Sequence, residues 1–184
     1  MNKKIMLYII NVDWYFNLHW LDRAKSALNA GYEVHVSMYV SNKNNRKSLE
    51  EQGFIVHELN ISRKSINPFK EILTFYSIYR LIKVVRADVV HSITLKPNIY
   101  AGISACLLRE PIIASVTGLG SFLTSKKNIR LSIGSMALKR ILSFAFSHKN
   151  TKVLFENHED SKVLISNNII KPDKSEVILG AGVD

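Results

Sequence analysis

Three places along this 184-residue chain gather side chains with chemistry to offer. The first is Asn11-Val12-Asp13-Trp14-Tyr15-Phe16-Asn17 with His19 close behind. There a carboxylate, an aromatic face and an imidazole could grip a polar ligand. The same residues have plainer uses, with Asp13 capping a helix and Trp14 and Phe16 packing beneath it. The second place runs from His91 to Lys96. Lys96 opens a predicted helix, where a cation opposes the macrodipole but serves a bound anion. His91 ends an apolar strand and also reads as a hydrogen-bonded core histidine. The third, Thr117-Gly118-Leu119-Gly120, could offer bare backbone amides to a phosphate or sugar hydroxyl, or could simply make a tight turn.

The elements around these residues decide whether they meet. Asp88-Val89-Val90-His91-Ser92 reads as a strand, Lys96 to Leu108 as an apolar helix, and Pro111 to Val116 as a second strand, the size of one βαβ unit. Both strands are β-branched and apolar along their length, the pattern of strands covered on both faces of a parallel sheet. Ligands of such sheets sit beyond the carboxyl ends of the strands. His91–Lys96 and Thr117–Gly120 therefore fall on one rim.

The same grammar recurs along the chain. Strands are expected at Lys3–Asn11, Tyr32–Tyr39, Phe54–Leu59, Thr151–Phe155 and Glu176–Leu179. Helices are expected at Leu18–Ala30, Lys47–Gln52, Pro68–Arg86, Ile129–His148 and His158–Asn167, with Gly31 and Gly53 placed as C-caps. Asn11 to Asn17 reads as a loop. In the helix from Pro68, the residues Ile72, Phe75, Ile78, Tyr79, Ile82 and Val85 repeat along one side. The fold class is α/β: one doubly wound, Rossmann-like domain with a mostly parallel sheet of about seven strands.

Several function classes lose support. A Gly-x-Gly-x-x-Gly loop should follow strand one in a dinucleotide-binding protein, but bulky Asp13-Trp14-Tyr15-Phe16 stands there, disfavouring NAD and FAD. The lysine-containing phosphate loop of nucleoside triphosphatases is missing as well. The single cysteine, Cys106, forbids an internal disulfide and reads as a buried thiol in an apolar helix. The apolar start reads as a strand rather than a leader, and no segment nears the ~20 apolar residues that span a bilayer.

The formal charge of +10 asks for an anionic partner: nucleic acid, a phosphorylated substrate or a membrane surface. Between Glu110 and Glu156 there is no acid, whereas Lys126, Lys127, Arg130, Lys139, Arg140, Lys149 and Lys152 all occur there. They interleave with Leu131, Ile133, Met136, Leu138, Ile141, Leu142, Phe144 and Phe146. A basic helix with so much apolar surface suits an anionic bilayer. Nucleic acid would call for arginines among exposed aromatics, and it is not expected as a partner.

Taken in order, Asn11–Phe16 with His19, Gly31–Val36, Asp88–His91, Thr94–Asn98, Thr117–Gly120, Phe155–Asp160 and Gly180–Asp184 resemble the opening of bacterial GT4-type glycosyltransferases of the two-domain GT-B fold. The likeness points to the subfamily that builds O-antigen, capsule and similar polysaccharides on lipid carriers. It implies that residues 1–179 are the amino-terminal, acceptor-binding domain and that 180–184 begin the crossing to a second domain. That second domain, with its paired glutamates, would be absent here. The family is metal-independent and retaining, with a nucleotide-sugar donor, UDP-linked in this reading. Its acceptor would be an undecaprenyl-diphosphate-linked saccharide, reached by an enzyme peripheral on the inner face of the cytoplasmic membrane.

By the same resemblance Asp13, Trp14, His19, Lys96, Thr117, Gly118 and Gly120 would surround the acceptor, and Asn157, Gly180 and Gly182 would face the donor cleft. Lys126, Lys127, Arg130, Lys139 and Arg140 would dock the membrane. Many relatives carry a histidine after the fifth strand where this chain has Thr117, which leaves the catalytic residue unassigned. Two alternatives stay open: a non-catalytic membrane-docking subunit of a split glycosyltransferase, or an inactive truncated product.

Overall fold

The structure is a computed structural model that describes residues 3–61, 67–119 and 133–179, with side chains from 136 onward in the last segment. Its strands are β1 (Ile5–Val12), β2 (Glu33–Tyr39), β3 (Ile55–Glu58), β4 (Val89–Ile93), β5 (Ile112–Val116), β6 (Thr151–Phe155) and β7 (Ser175–Val177). They form one sheet in the order β3-β2-β1-β4-β5-β6-β7. Every neighbouring pair is parallel, so the sheet is fully rather than mostly parallel.

Both faces of β1 are buried, as its unbroken apolar run demands. Tyr8 and Ile10 face one core with Phe16, Trp20 and Ala24. Leu7 and Ile9 face the other with Ile78, Ile82 and Ala101. The first core lies under helices α1 (Asp13–His19), α2 (Leu21–Asn29) and α3 (Lys43–Glu51). The opposite face carries α4 (Pro68–Val85), α5 (Leu95–Leu108), α6 (Ile133–Ala145) and α7 (His158–Ser166), with Leu142, Ala145 and Leu164 packed on β5 and β6. Gly102 permits the α5–α6 approach: a Cβ there would lie 2.7 Å from the Ala145 carbonyl oxygen.

Four expectations need correction. The aromatic stretch expected as a loop is α1, because burying Phe16 against Tyr8 and Phe54 outweighs the modest helix propensity of aromatics. The single helix expected from Leu18 breaks at Trp20 (φ −125°, ψ −13°), giving α1 and α2. α3 begins at Lys43, four residues early, since the Asn42 side chain accepts the Asn44 N–H and caps it. In α4 the buried residues are Thr74, Ile78 and Ile82, while Ile72 points to solvent.

Candidate functional site

From β1 the chain moves towards one sheet edge and from β4 towards the other, so a crevice opens where the strand order reverses, the place such sheets use for ligands. A cleft of about 520 Å³ lies there, lined by Asn11, Val12, Tyr15, Thr94, Leu95, Lys96, Thr117 and Gly118. It joins the ends of β1, β4 and β5, as the common rim of the sequence reading requires.

Asn11 and Thr94 form its floor. The Asn11 amide donates to the Thr94 hydroxyl at 2.6 Å. Asn11 is 7 % exposed, and its Oδ1 has no hydrogen-bond partner among the described residues. A buried acceptor left unpaired is a liability, and a donating ligand in the cleft would relieve it once a small side-chain rotation brought this sealed oxygen to the surface. Thr94 sits at φ +74°, ψ 162°, a strained conformation for a β-branched residue. It is held there by its own N–H to the Ser115 carbonyl and by Asn98, buried in the first turn of α5. Asn98 accepts from Ser92 Oγ (2.7 Å) and donates to the Ser115 carbonyl (2.9 Å).

Around the lip, Tyr15 lines the cleft, and Trp14, 48 % exposed, stands edge-on to it at 5.7 Å between centroids. His19 lies over the outer side of Tyr15 at 4.7 Å, one ring removed from the cleft lining. Lys96 reaches the wall with its ammonium on Glu71, at 2.9 and 3.0 Å from the two carboxylate oxygens. The Tyr100 hydroxyl also donates to Glu71. Thr117 is partly exposed, and Gly118 at φ +129° leaves space that a Cβ would not fill with contacts, so a ligand can approach its backbone.

Asp13 is not at the cleft surface. Its carboxylate is fully buried and accepts from Trp14 N, Ser41 N, Ser41 Oγ, Asn42 N and Asn45 Nδ2 at 2.6–3.1 Å. Burial alone would raise this carboxyl. The hydrogen bonds from Ser41, Asn45, Asn42 and Trp14 outweigh burial and hold it below the usual carboxylate range. Its geometry ties α1 to the β2–α3 loop. Asn157 also makes a scaffold contact, capping α7: Oδ1 accepts the Asp160 N–H (2.8 Å) and Nδ2 donates to Asp160 Oδ2 (3.0 Å). Asp160 in turn accepts from Leu119 N (3.2 Å), which fixes the loop beside Gly118.

Lys139 donates to Asn167 Oδ1 (2.5 Å), and Arg140 is exposed. Gly120, Gly180, Gly182, Lys126, Lys127 and Arg130 lie outside the described residues. Among the described residues no group of three His, Cys, Asp or Glu side chains gathers as a metal site would. His91 takes the core alternative: it is buried with Nε2 2.8 Å from Ser115 Oγ, and desolvation lowers its pKa to about 3. Sequence reasoning did not single out Asn11 or Thr94 as site residues. A polar residue closing an apolar strand could have signalled Asn11, but no local pattern reveals the backbone of Thr94.

Known proteins agree with this architecture. The chain is 29 % identical over 143 residues to the N,N'-diacetylbacillosaminyl-diphospho-undecaprenol alpha-1,3-N-acetylgalactosaminyltransferase of Campylobacter jejuni, covering 75 % of this chain and 36 % of that protein. A glycosyltransferase from Rickettsia africae superposes with a TM-score of 0.62 at 20 % identity, over 97 % of this chain and 43 % of the other. A UDP-N-acetylglucosamine 2-epimerase from Rickettsia bellii gives 0.66 at 9 % identity, over 98 % and 46 %. The fold is thus the GT-B type of Rossmann-like domain, shared by transferases and epimerases, and the chain spans less than half the length of these relatives. The family model for glycosyl transferase 4-like proteins matches residues 5–157, from the first strand to the cap of α7, and the chain belongs to that family.

Proposed function

We propose that this chain is the acceptor-binding half of a glycosyltransferase that moves a sugar from a nucleotide-sugar to a lipid-diphosphate-linked saccharide in cell-surface polysaccharide synthesis, of the O-antigen or capsule kind. The observation that carries this reading is the cleft at the β1/β4 crossover, with an unpaired buried acceptor at Asn11, half-buried Tyr15 in its lining and exposed Trp14 against that ring. The name of the Campylobacter relative supplies the class of acceptor.

In the reaction an acceptor hydroxyl oxygen bonds the anomeric carbon, the sugar–phosphate bond breaks, and the nucleoside diphosphate departs with the electron pair. The hydroxyl proton leaves to a base or to the departing phosphate. Asn11 Oδ1 would accept that hydroxyl's hydrogen bond and so aim its oxygen. Trp14 and Tyr15 would lie against the apolar face of the sugar ring. Thr117 and Gly118 would meet the acceptor from β5, and Lys96 would exchange Glu71 for the acceptor diphosphate. Donor contacts, a UDP-sugar in this reading, would come mainly from a second domain or partner chain. The enzyme would work on the inner face of the cytoplasmic membrane.

The test is an NMR titration of the isotope-labelled chain with a saccharide diphosphate on a short, soluble lipid. Shifts should centre on Asn11, Thr94, Thr117 and Gly118, and Asn11→Ala should weaken binding about tenfold, the loss of one buried hydrogen bond. Shifts confined to another surface, or unchanged affinity in Asn11→Ala, would refute the assignment. The chain alone should transfer no sugar from UDP-sugars, and transfer by it would overturn the half-enzyme reading.

A further inference from the structure

A second, smaller cavity of about 110 Å³ lies on the α1/α2 side of the sheet, near the carboxyl ends of β4, β5 and β6. His91 and Ser115 form one wall, already joined through Nε2 and Oγ at 2.8 Å. Leu154, Phe155 and Ile178 make the lining apolar, and the Trp20 ring stands edge-on to His91 at 5.1 Å. These walls continue those of the cleft. His91 and Ser115 lie three and two residues before Thr94 and Thr117, about 7–10 Å back along the same strands. Trp20 follows His19, whose ring rests on Tyr15 of the cleft lining.

Two lining groups have unmet hydrogen-bonding capacity. Among the described residues neither Trp20 Nε1–H nor Glu156 Oε1 has a partner, and Trp20 is only 3 % exposed. Both atoms are shut away from water, where unpaired polar groups are destabilising. Burial raises the Glu156 carboxyl above its usual range, against the opposing pull of Arg23 and His19. Arg23 is exposed, with its guanidinium over the Trp20 ring at 4.6 Å. It also lines the cavity, yet no hydrogen bond or ion pair joins it to Glu156.

Size and chemistry together select an occupant. At the ~30 Å³ that a water-sized group fills, the cavity takes about four heavy atoms, too few for a sugar ring. The occupant needs a donor for Glu156, an acceptor for Trp20 or Arg23, and an apolar end for Leu154 and Ile178. A carboxylate or phosphate would meet Arg23 but repel Glu156. A hydroxymethyl group would leave the apolar lining bare. An acetamido group is the right size and offers an N–H, a carbonyl oxygen and a methyl group.

We propose that this cavity receives the acetamido substituent of an N-acetylated amino sugar. The proposal rests on the glycosyltransferase reading above and narrows its substrate class. The amide N–H donates to Glu156 Oε1, and the carbonyl oxygen accepts from Trp20 Nε1–H or the Arg23 guanidinium. The methyl group lies against Leu154 and Ile178. Glu156 is half-buried just past β6, and its side chain turns to admit the group to these sealed atoms.

The test is an NMR titration of the isotope-labelled 184-residue chain with N-acetylglucosamine diphosphate on a short, soluble lipid, beside glucose diphosphate on the same lipid. The acetamido probe should bind at least about tenfold more tightly, the worth of one buried hydrogen bond. Its acetyl methyl should show NOEs to the methyls of Leu154 and Ile178. UDP-N-acetylglucosamine beside UDP-glucose runs the same comparison for a donor sugar. Whichever pair shows the preference and the NOEs names the sugar that carries the group.

Glu156→Leu removes the acceptor and Ile178→Trp fills the cavity, so each should abolish the preference. Glu156→Gln keeps an oxygen acceptor and should retain most of it. Melting temperatures check folding, and if Glu156→Leu fails to fold, Ile178→Trp decides alone, since Ile178 is 48 % exposed. Equal affinities within both pairs, NOEs elsewhere, or a preference that survives Ile178→Trp would overturn the proposal. Equal affinities with shifts still centred on Asn11 and Thr117 would leave the cleft assignment standing. Preference and NOEs at Leu154 without shifts at Asn11 or Thr94 would support the cavity and sink the cleft assignment. No binding of any probe would overturn both.

Discussion

Replacing Asp13 by alanine separates two roles for this carboxylate: ligand group and internal tie. The side chain accepts five hydrogen bonds, and four of them come from Ser41 and Asn42 in the β2–α3 loop and Asn45 in the first turn of α3. A bond to a charged group contributes about 1.5–3 kcal/mol, and truncation also strands the former donors. Here Ser41 and Asn42 are exposed and Asn45 is half-buried, so these donors recover water, and the net loss should be about 2–3 kcal/mol rather than the sum. For a domain of this size that is a fall in melting temperature of about 6–9 °C.

Thermal unfolding by circular dichroism at neutral pH reads it directly, and amide exchange should report loosening at residues 41–45. The pH dependence has a definite sign. The folded carboxyl is held below its unfolded value of about 3.9, so its stabilisation is full above that pH and fades as pH falls through the folded pKa. The gap between wild type and Asp13→Ala should narrow in acid. An unchanged melting temperature with lost acceptor binding would refute this account and make Asp13 a ligand group.

Further outcomes follow from the same geometry. Gly102→Ala should destabilise by about 1–3 kcal/mol in urea unfolding, because its Cβ would meet the Ala145 backbone, which cannot rotate away. An unchanged midpoint would mean that α5 and α6 do not approach as described. Neutral, buried His91 must take up a proton on unfolding, since its folded pKa is near 3. Stability should therefore fall below about pH 6.5 by up to about 1.4 kcal/mol per pH unit, and His91→Gln should remove that one-proton slope. Thr94→Gly relieves the positive φ and should leave stability unchanged or raise it by about 1 kcal/mol. It should weaken acceptor binding in the same titration, because the Asn11 partner is gone. Weaker folding with intact binding would show that Thr94 serves the scaffold alone.

The sequence by itself determined the sheet. β-branched runs such as Val89-Val90 and Ile112-Ile113 can bury both faces only in a parallel sheet, and their carboxyl ends put Lys96 and Thr117 on one rim. Binary pattern and turn residues are local signals, and they placed every strand to within a few residues. What they could not decide was competition between distant partners. Asp13 reads as a rim ligand until Ser41, Asn42 and Asn45, far along the chain, fold over its oxygens. Phe16 pulls a loop-like stretch into α1 because Tyr8 and Phe54 wait beneath it. The strain at Thr94, the unpaired oxygen of Asn11 and the cavity beside Trp20 are likewise invisible to periodicity. Each depends on which neighbour arrives from another element and on which faces no neighbour covers, and only the packed tertiary structure fixes that.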